Sequence, residues 1–296
     1  MKTKLIFIVN PISGGIKKDY LPRMIEKYID REKFQAEIWF TNSADHTIEL
    51  SKKAVVQNVD VVVAVGGDGT INSIAKHLKD TPVILGILPM GSGNGLARHL
   101  QVPMNPQKAL QLIQSLNYSL IDTGTVNDRF FINVTGAGFD AKISKLFATS
   151  SKRGFLSYIQ ITLDQFANYI SQTYELTIDG IKSEEQAFII CVANGSQYGN
   201  NAFIAPGANS MDGIFDISVL KPFRLLDFPV IAYQLFTKKF GRSKFVKTLK
   251  GKSIQIKRPT DEAINIDGEP VMTVKDLEIK MFPKSLKVIT GLEFQV

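Results

Sequence analysis

The sequence predicts two domains of different class, an α/β domain on a parallel sheet followed by an antiparallel β-sandwich. Three observations predict it. The first 120 residues alternate continuous apolar runs with helical patterns, as strands buried on both faces do between covering helices. After Asp122 the chain changes to short strand candidates separated by Gly, Asp and Asn turns. The length, 296 residues, exceeds what one core usually sustains.

In order, Leu5–Asn10 reads as a buried strand, Tyr20–Tyr28 as a helix and Ala36–Phe40 as a second strand. Ile48–Gln57 is a helical stretch, and Val59–Val65 is an almost pure β-branched run. Ile71–Leu78 reads as a helix opening after a glycine turn, Val83–Leu88 as a strand and Lys108–Leu116 as a helix. Beyond Asp122 the strand candidates are Phe130–Val134, Tyr174–Ile178, Phe188–Ala193, Phe215–Leu220, Ser253–Lys257, Ala263–Ile266 and Leu277–Met281. Helical stretches interrupt them at Ala141–Leu146 and Leu156–Tyr169. The expected domains are residues 1–122 and 123–284, with 285–296 returning to the first.

Composition narrows the class. An apolar fraction of 44% with 21% charge is ordinary for a globular protein. The single Cys191 excludes an internal disulfide framework, and its apolar run makes it a buried small hydrophobe. No window supplies the roughly 18–20 apolar residues of a membrane span. The apolar N-terminal run Leu5–Val9 is too short for a secretory leader and stops at Asn10-Pro11, so the expected compartment is the cytoplasm. The net charge of +7 is uneven: Lys238 to Arg258 holds nine Lys and Arg and no acid. Nucleic acid, anionic lipid and water all suit such a run. Nucleic acid is excluded because no recognition motif and few interleaved aromatics accompany it.

Three glycine-rich loops follow three strands of the first domain: Asn10-Pro11-Ile12-Ser13-Gly14-Gly15, Gly66-Gly67-Asp68-Gly69-Thr70-Ile71-Asn72 and Pro89-Met90-Gly91-Ser92-Gly93-Asn94. Loops at the carboxyl ends of parallel strands share one edge, where ligands bind. Glycines let a polyphosphate approach the backbone N–H groups, and a helix opening after the second loop adds its positive end. Ser13, Thr70 and Ser92 offer hydroxyls. One loop alone is a turn feeding a helix; three on one edge point to phosphate. Asp68 beside phosphates calls for Mg2+ between them or for a proton-accepting role. No G-x-x-x-x-G-K-[ST] loop, strand-linked G-x-G-x-x-G or protein-kinase set is present.

These loops resemble the diacylglycerol kinase catalytic-domain family, which includes bacterial lipid kinases, sphingosine kinases and ceramide kinases. Its N-P-x-S-G, G-G-D-G-T and P-x-G-[ST]-x-N signatures match Asn10–Gly14, Gly66–Thr70 and Pro89–Asn94 in order and spacing. The resemblance implies an α/β nucleotide domain like that of phosphofructokinase and NAD kinase, ahead of the β-sandwich. It implies ATP and Mg2+ as cofactors and γ-phosphoryl transfer to a hydroxyl of a membrane lipid, of diacylglycerol or sphingoid type. Thr41 corresponds to a nucleotide-contacting threonine, and His46 to a recurrent histidine with a packing or capping role.

Glu269, in Asn265-Ile266-Asp267-Gly268-Glu269-Pro270, matches the family's proton acceptor, although Asp-Gly between strands is also a plain hairpin signal. Asp68 competes for that role. By the same resemblance Asp212 is a side-chain ligand of Mg2+, Asn209 and Ile214 are carbonyl donors, and Asp122 joins through water; the bland alternative is an acidic turn. Ser92 and Gly95 stand where many bacterial diacylglycerol kinases have Thr and Asp, which resembles sphingosine kinases instead. Pro229–Phe240 has the composition of an interfacial helix, implying peripheral contact with the inner face of the membrane. A homodimer is one candidate assembly. The competing functions are a soluble-metabolite kinase of the NAD-kinase type and a non-catalytic nucleotide or lipid sensor.

Overall fold

The computed structural model describes residues 1–15, 18–149, 155–166 and 169–294. The chain divides into one unit of Met1–Ile121 with Lys284–Val296, and a second of Asp122–Pro283.

The first unit runs β1 (Thr3–Val9), α1 (Leu21–Tyr28), β2 (Phe34–Phe40), α2 (Ala44–Val56), β3 (Val61–Gly66), α3 (Asp68–Leu78), β4 (Ile84–Pro89), α4 (Gly95–His99) and α5 (Pro106–Ser115). Its parallel sheet has the order β2-β1-β3-β4. Every residue of β3 is buried, as an apolar run covered on both faces requires. Helix α3 buries Ile71, Ile74, Ala75 and Leu78, the i, i+3, i+4, i+7 stripe of a helix lying on a sheet. Helix α5 opens with Asn105, whose side chain accepts the N–H groups of Gln107 and Lys108, and with Pro106 in its first turn.

Strand β5 (Tyr118–Val126) leads into the second unit: β6 (Arg129–Phe131), β7 (Val134–Gly138), α6 (Phe139–Thr149), α7 (Phe155–Phe166), β8 (Gln172–Ile178), β9 (Ile181–Ala187), β10 (Ile189–Ala193), β11 (Phe215–Leu220), α8 (Phe228–Phe236), β12 (Val246–Gly251), β13 (Ser253–Lys257), β14 (Glu262–Ile266) and β15 (Glu269–Thr273). The last strand, β16 (Asp276–Ile289), pairs antiparallel with β13 over Asp276–Lys280, and its Val288 pairs parallel with Leu85 of β4. Within the second unit, six antiparallel strands in the order β12-β11-β10-β7-β14-β15 form one sheet, and β13, β8 and β9 continue from β16 in another. Side chains of both sheets, among them Phe131, Tyr174, Ile190, Phe215, Ile254 and Leu277, form one core. The outer face of the six-stranded sheet is buried as well, under Phe139, Ile143, Phe166 and Ile231 of the helices.

The structure corrects several sequence expectations. Helix α3 begins at Asp68, not Ile71, so the acid is its first residue. Helix α2 begins at Ala44, because Ser43 caps it through the N–H of His46. The run Phe130–Val134 is two strands, since the N–H groups of Ile132, Asn133 and Val134 go to a side chain, described below, instead of a ladder. Strand β9 went unread because its sequence, IKSEEQA, is polar; it pairs with β8 across Asp179-Gly180, both at positive φ, which is a tight hairpin signal. Of the helix expected at Leu156–Tyr169, residues 167 and 168 lie outside the described residues, as do 295 and 296 of the tail.

Candidate active site

The three glycine loops meet. Asn10 N–H donates to Val65 O at 3.1 Å, and Met90 N–H to Gly66 O at 2.8 Å, so the first and third loops are pinned to the strand feeding the second. The contact is backbone on backbone. A Cβ at Gly14, whose φ is +69°, would fall 2.0 Å from Met90 O, and one at Gly91 would fall 2.5 Å from Gly67 Cα. Only glycine fits either position.

Side chains then close the loops. Asn10 Nδ2 donates to Thr70 Oγ1 at 3.2 Å, while its Oδ1 accepts from Ile12 N–H. Ser13 Oγ donates to Asn10 O. Asn94, at left-handed φ, clasps Gly91 with both amide atoms at 2.9 Å each. Thr41 is buried against the end of β1, its hydroxyl on Val9 O at 3.3 Å. Pro11 and Ser92 are exposed, and Asn72 is half-buried on α3. Among the sequence candidates, Asn10, Thr41, Thr70 and Asn94 therefore act in shaping the loops.

No side chain caps α3 at Gly67. Its first turn thus presents backbone N–H groups and the positive end of the helix dipole, a ready site for an anion. Asp68 stands at that terminus with Oδ1 accepting from Leu96 N–H of α4 at 3.3 Å. His46 accepts from Asn42 N–H, a capping role. Burial holds His99 near pKa 4, so it stays neutral, and lowers His77.

One residue here escaped sequence reading. Lys18 follows the first loop and is 2% exposed, with Nζ donating to Ser13 O at 2.6 Å and to Ser13 Oγ at 2.9 Å. Its signal was a lysine just after the glycines, which a search for G-K-[ST] spacing passes over.

In the second unit, Ile266 and Glu269 face each other across Asp267-Gly268, with φ of 49° and 92°, a two-residue hairpin of the kind Asp-Gly signals. The turn is more than a hairpin. The buried Asp267 carboxylate accepts from Ile132, Asn133 and Val134 N–H, each at 2.9 Å. Asn265 Oδ1 accepts from Gly268 N–H at 2.8 Å, and its Nδ2 lies 3.5 Å from Asp140 Oδ2. Asp140 also takes Tyr198 OH at 3.0 Å and Ala141 N–H at 2.8 Å. This braced turn presents Glu269 at the start of β15 with solvent access. Desolvation by the surrounding protein, then the charge of Asp267, raise the Glu269 carboxyl above its ordinary range. Such a carboxylate is a better proton acceptor than a free one.

The acidic loop is held by Asp122, which is fully buried. Its N–H donates to Ser210 O at 2.6 Å and its Oδ2 accepts from Gly213 N–H at 2.7 Å. Asp212 Oδ1 accepts from Ile214 N–H, and Asn209 Oδ1 from Met211 N–H. Lys250 Nζ lies 3.8 Å from Asp212 and 3.2 Å from Asp216, whose carboxyl burial pushes up. Two carboxylates, Asp212 and Asp216, share that one ammonium, and carboxylates among turn carbonyls are the kind of donors a hard cation takes. Among the described residues no group of three or more His, Cys, Asp or Glu is placed to hold a metal by side chains alone, so loop carbonyls and water would complete the set.

The comparisons agree across the chain. The diacylglycerol kinase catalytic domain matches residues 4–126, and the YegS C-terminal NAD kinase beta sandwich-like domain matches residues 133–290. A protein of Pectobacterium atrosepticum named probable lipid kinase YegS-like is 31% identical over 84% of this chain and 83% of its own. The crystal structure of a diacylglycerol kinase from Bacillus anthracis superposes with a TM-score of 0.77 at 23% identity, over 99% of this chain and 98% of that one. An NAD kinase from Archaeoglobus fulgidus in complex with ATP shares the fold at a TM-score of 0.54 and 15% identity, over 98% of this chain and 95% of its own.

Proposed function

The chain belongs to the diacylglycerol kinase catalytic-domain family of lipid kinases, and from that premise we propose that it transfers the γ-phosphoryl group of ATP to a hydroxyl of a membrane lipid. The observation that carries the reading is the meeting of three glycine loops at the uncapped N-terminus of α3. The N–H groups there receive the phosphates, and the helix end stabilises their charge.

In the proposed transfer, the lipid oxygen bonds to the γ-phosphorus as the bond to the β,γ-bridging oxygen breaks, and ADP leaves. The hydroxyl proton passes to the Glu269 carboxylate. Asp68 stands where the second loop becomes α3 and serves either as this base or as the acid facing the phosphates through a cation. Mg2+ would be held by Asp212 with the carbonyls of Asn209 and Ile214, and linked by water to Asp122, where it would neutralise the acidic loop.

Contact with the membrane falls to the segment around α8. Leu226, Val230 and Tyr233 are 84%, 54% and 58% exposed, and Lys238, Lys239 and Arg242 follow on the surface. Exposed apolar side chains beside basic ones fit an anionic bilayer surface, to which each cation contributes about 1 kcal/mol at best. No helix among the described residues is long and apolar enough to cross a membrane.

The test is radiolabelled ATP with micellar diacylglycerol, monoacylglycerol, ceramide and sphingosine, and NAD as the soluble control. Label in one lipid is expected. Label in NAD alone would replace the lipid acceptor with a soluble one, and no transfer at all would leave a sensor.

A further inference from the structure

Lys18 is a buried cation with no counter-charge among the described residues. Its ammonium has three N–H donors, and the two contacts made with the protein both fall on Ser13, on the carbonyl and the hydroxyl. Both are neutral acceptors. Among the described residues no carboxylate pairs with it, and burial accordingly lowers its pKa. A charge so placed is expensive unless an anion joins it.

The anion's position follows from what Ser13 is tied to. Ser13 N–H and Oγ both reach Asn10 O, and Asn10 Nδ2 reaches Thr70 Oγ1 in the first turn of α3. Three steps of hydrogen bonding therefore connect the ammonium to the N-terminal end of α3. Gly14, between Ser13 and Lys18, lies against Met90 O of the third loop. The lysine is thus fixed to the loops themselves.

We propose that Lys18 is a cationic ligand of the terminal phosphates of the bound nucleotide, supplying positive charge at the first of these loops. The inference rests on the nucleotide-binding reading of the loops. In this arrangement the third ammonium donor meets a phosphate oxygen while Ser13 holds the other two. A charge-assisted bond to phosphate is among the stronger hydrogen bonds available to a protein. The lysine is here oriented by a neighbouring serine, where a Walker lysine is oriented by its own loop.

The alternative is that Lys18 only fills space and buttresses Ser13. The two roles separate under Lys18→Met, which keeps the apolar stem and removes the charge. Titration calorimetry would compare ADP, AMP and inorganic tripolyphosphate on the wild-type protein, Lys18→Met and Lys18→Arg. The expected result is a loss of about tenfold or more in affinity for ADP and tripolyphosphate, a smaller loss for AMP, and partial recovery in Lys18→Arg. Should Lys18→Met fail to fold, Lys18→Gln, which retains a donor toward Ser13, carries the same expectation. Unchanged affinity of the charge-free variant for both ligands overturns the proposal while leaving the loops as a nucleotide site. A wild-type protein that binds neither ligand overturns the loop reading and the proposal with it.

Discussion

The buried Asp140 makes the second unit's stability depend on pH in a calculable way. Its carboxyl is 4% exposed and is pushed from 3.8 up to about 6, first by burial, against the opposing bonds from Tyr198, Ala141 and Asn265. In the unfolded chain the group returns to its ordinary value. Between pH 3.8 and about 6 the folded protein therefore binds more protons than the unfolded one, and stability falls as pH rises. The contribution is fully present below 3.8 and is lost as pH rises through about 6. At 1.36 kcal/mol per pH unit, the gap amounts to roughly 3 kcal/mol. Asp140→Asn is nearly isosteric with the protonated acid and does not ionise. Urea unfolding of both proteins from pH 3.5 to 8 isolates the effect, because other titrating groups cancel in the difference. The variant should match the wild type at pH 3.5 and exceed it by about 3 kcal/mol at pH 8. A difference that stays flat with pH would refute the reasoning.

Asp68→Asn should abolish γ-phosphoryl transfer to lipid with an unchanged circular dichroism spectrum and melting temperature; turnover near the wild-type level would remove Asp68 from the mechanism. Glu269→Gln should cost at least ~10²-fold in turnover, and a loss under tenfold in the same assay would move the base to Asp68. Neutralising Lys238, Lys239 and Arg242 together should weaken sedimentation with vesicles containing anionic lipid, leaving neutral vesicles unaffected; equal binding to both would return the segment to a solvated helix end. Asp267→Ala should destabilise the protein by about 3–5 kcal/mol in urea unfolding, because three buried N–H groups lose a charged acceptor at once. A cost under 1 kcal/mol would mean that water replaces the carboxylate.

The parallel sheet was legible because its strands carry their burial in their composition. Val61–Val65 can be little other than a strand covered on both faces, and the stripe from Ile71 to Leu78 fixes the helix that covers it. The polar edge of the second unit was not, since β9 buries only Glu185 and Ala187 and so shows no apolar alternation. Helix starts were read late wherever the first turn is polar: Ala44-Asp45-His46 and Asp68-Gly69-Thr70 belong to helices through capping and dipole, not through hydrophobic period. The glycine loops stood out because glycine is demanded by backbone approach at Gly14 and Gly91, a constraint that leaves its mark in sequence. Asp140 and Asp267 left no such mark, because each acts through partners distant in the chain, and Lys18 left only a weak one, its role coming from burial that spacing does not write.

The surroundings of the two competing acids argue for different tasks. Asp68 sits at a helix N-terminus beside the glycine loops, its Oδ1 accepting a backbone N–H from the next helix. An acid held there suits a place opposite phosphates and a cation better than it suits proton transfer. Glu269 meets the opposite conditions. It keeps solvent access, its carboxyl is raised by desolvation and by Asp267, and its turn is braced through Asn265 and three backbone bonds to that same aspartate. Asp267 therefore does two things with one charge: it fixes where the glutamate stands and makes it more basic. Replacing Asp267 by Asn largely separates them, since the amide oxygen still accepts the Asn133 and Val134 N–H groups, losing only the bond from Ile132, while the charge is gone. If Glu269 is the base, the acid limb of the pH–rate profile for lipid phosphorylation should move to lower pH in that variant. A limb that stays in place would mean that the profile belongs to Asp68.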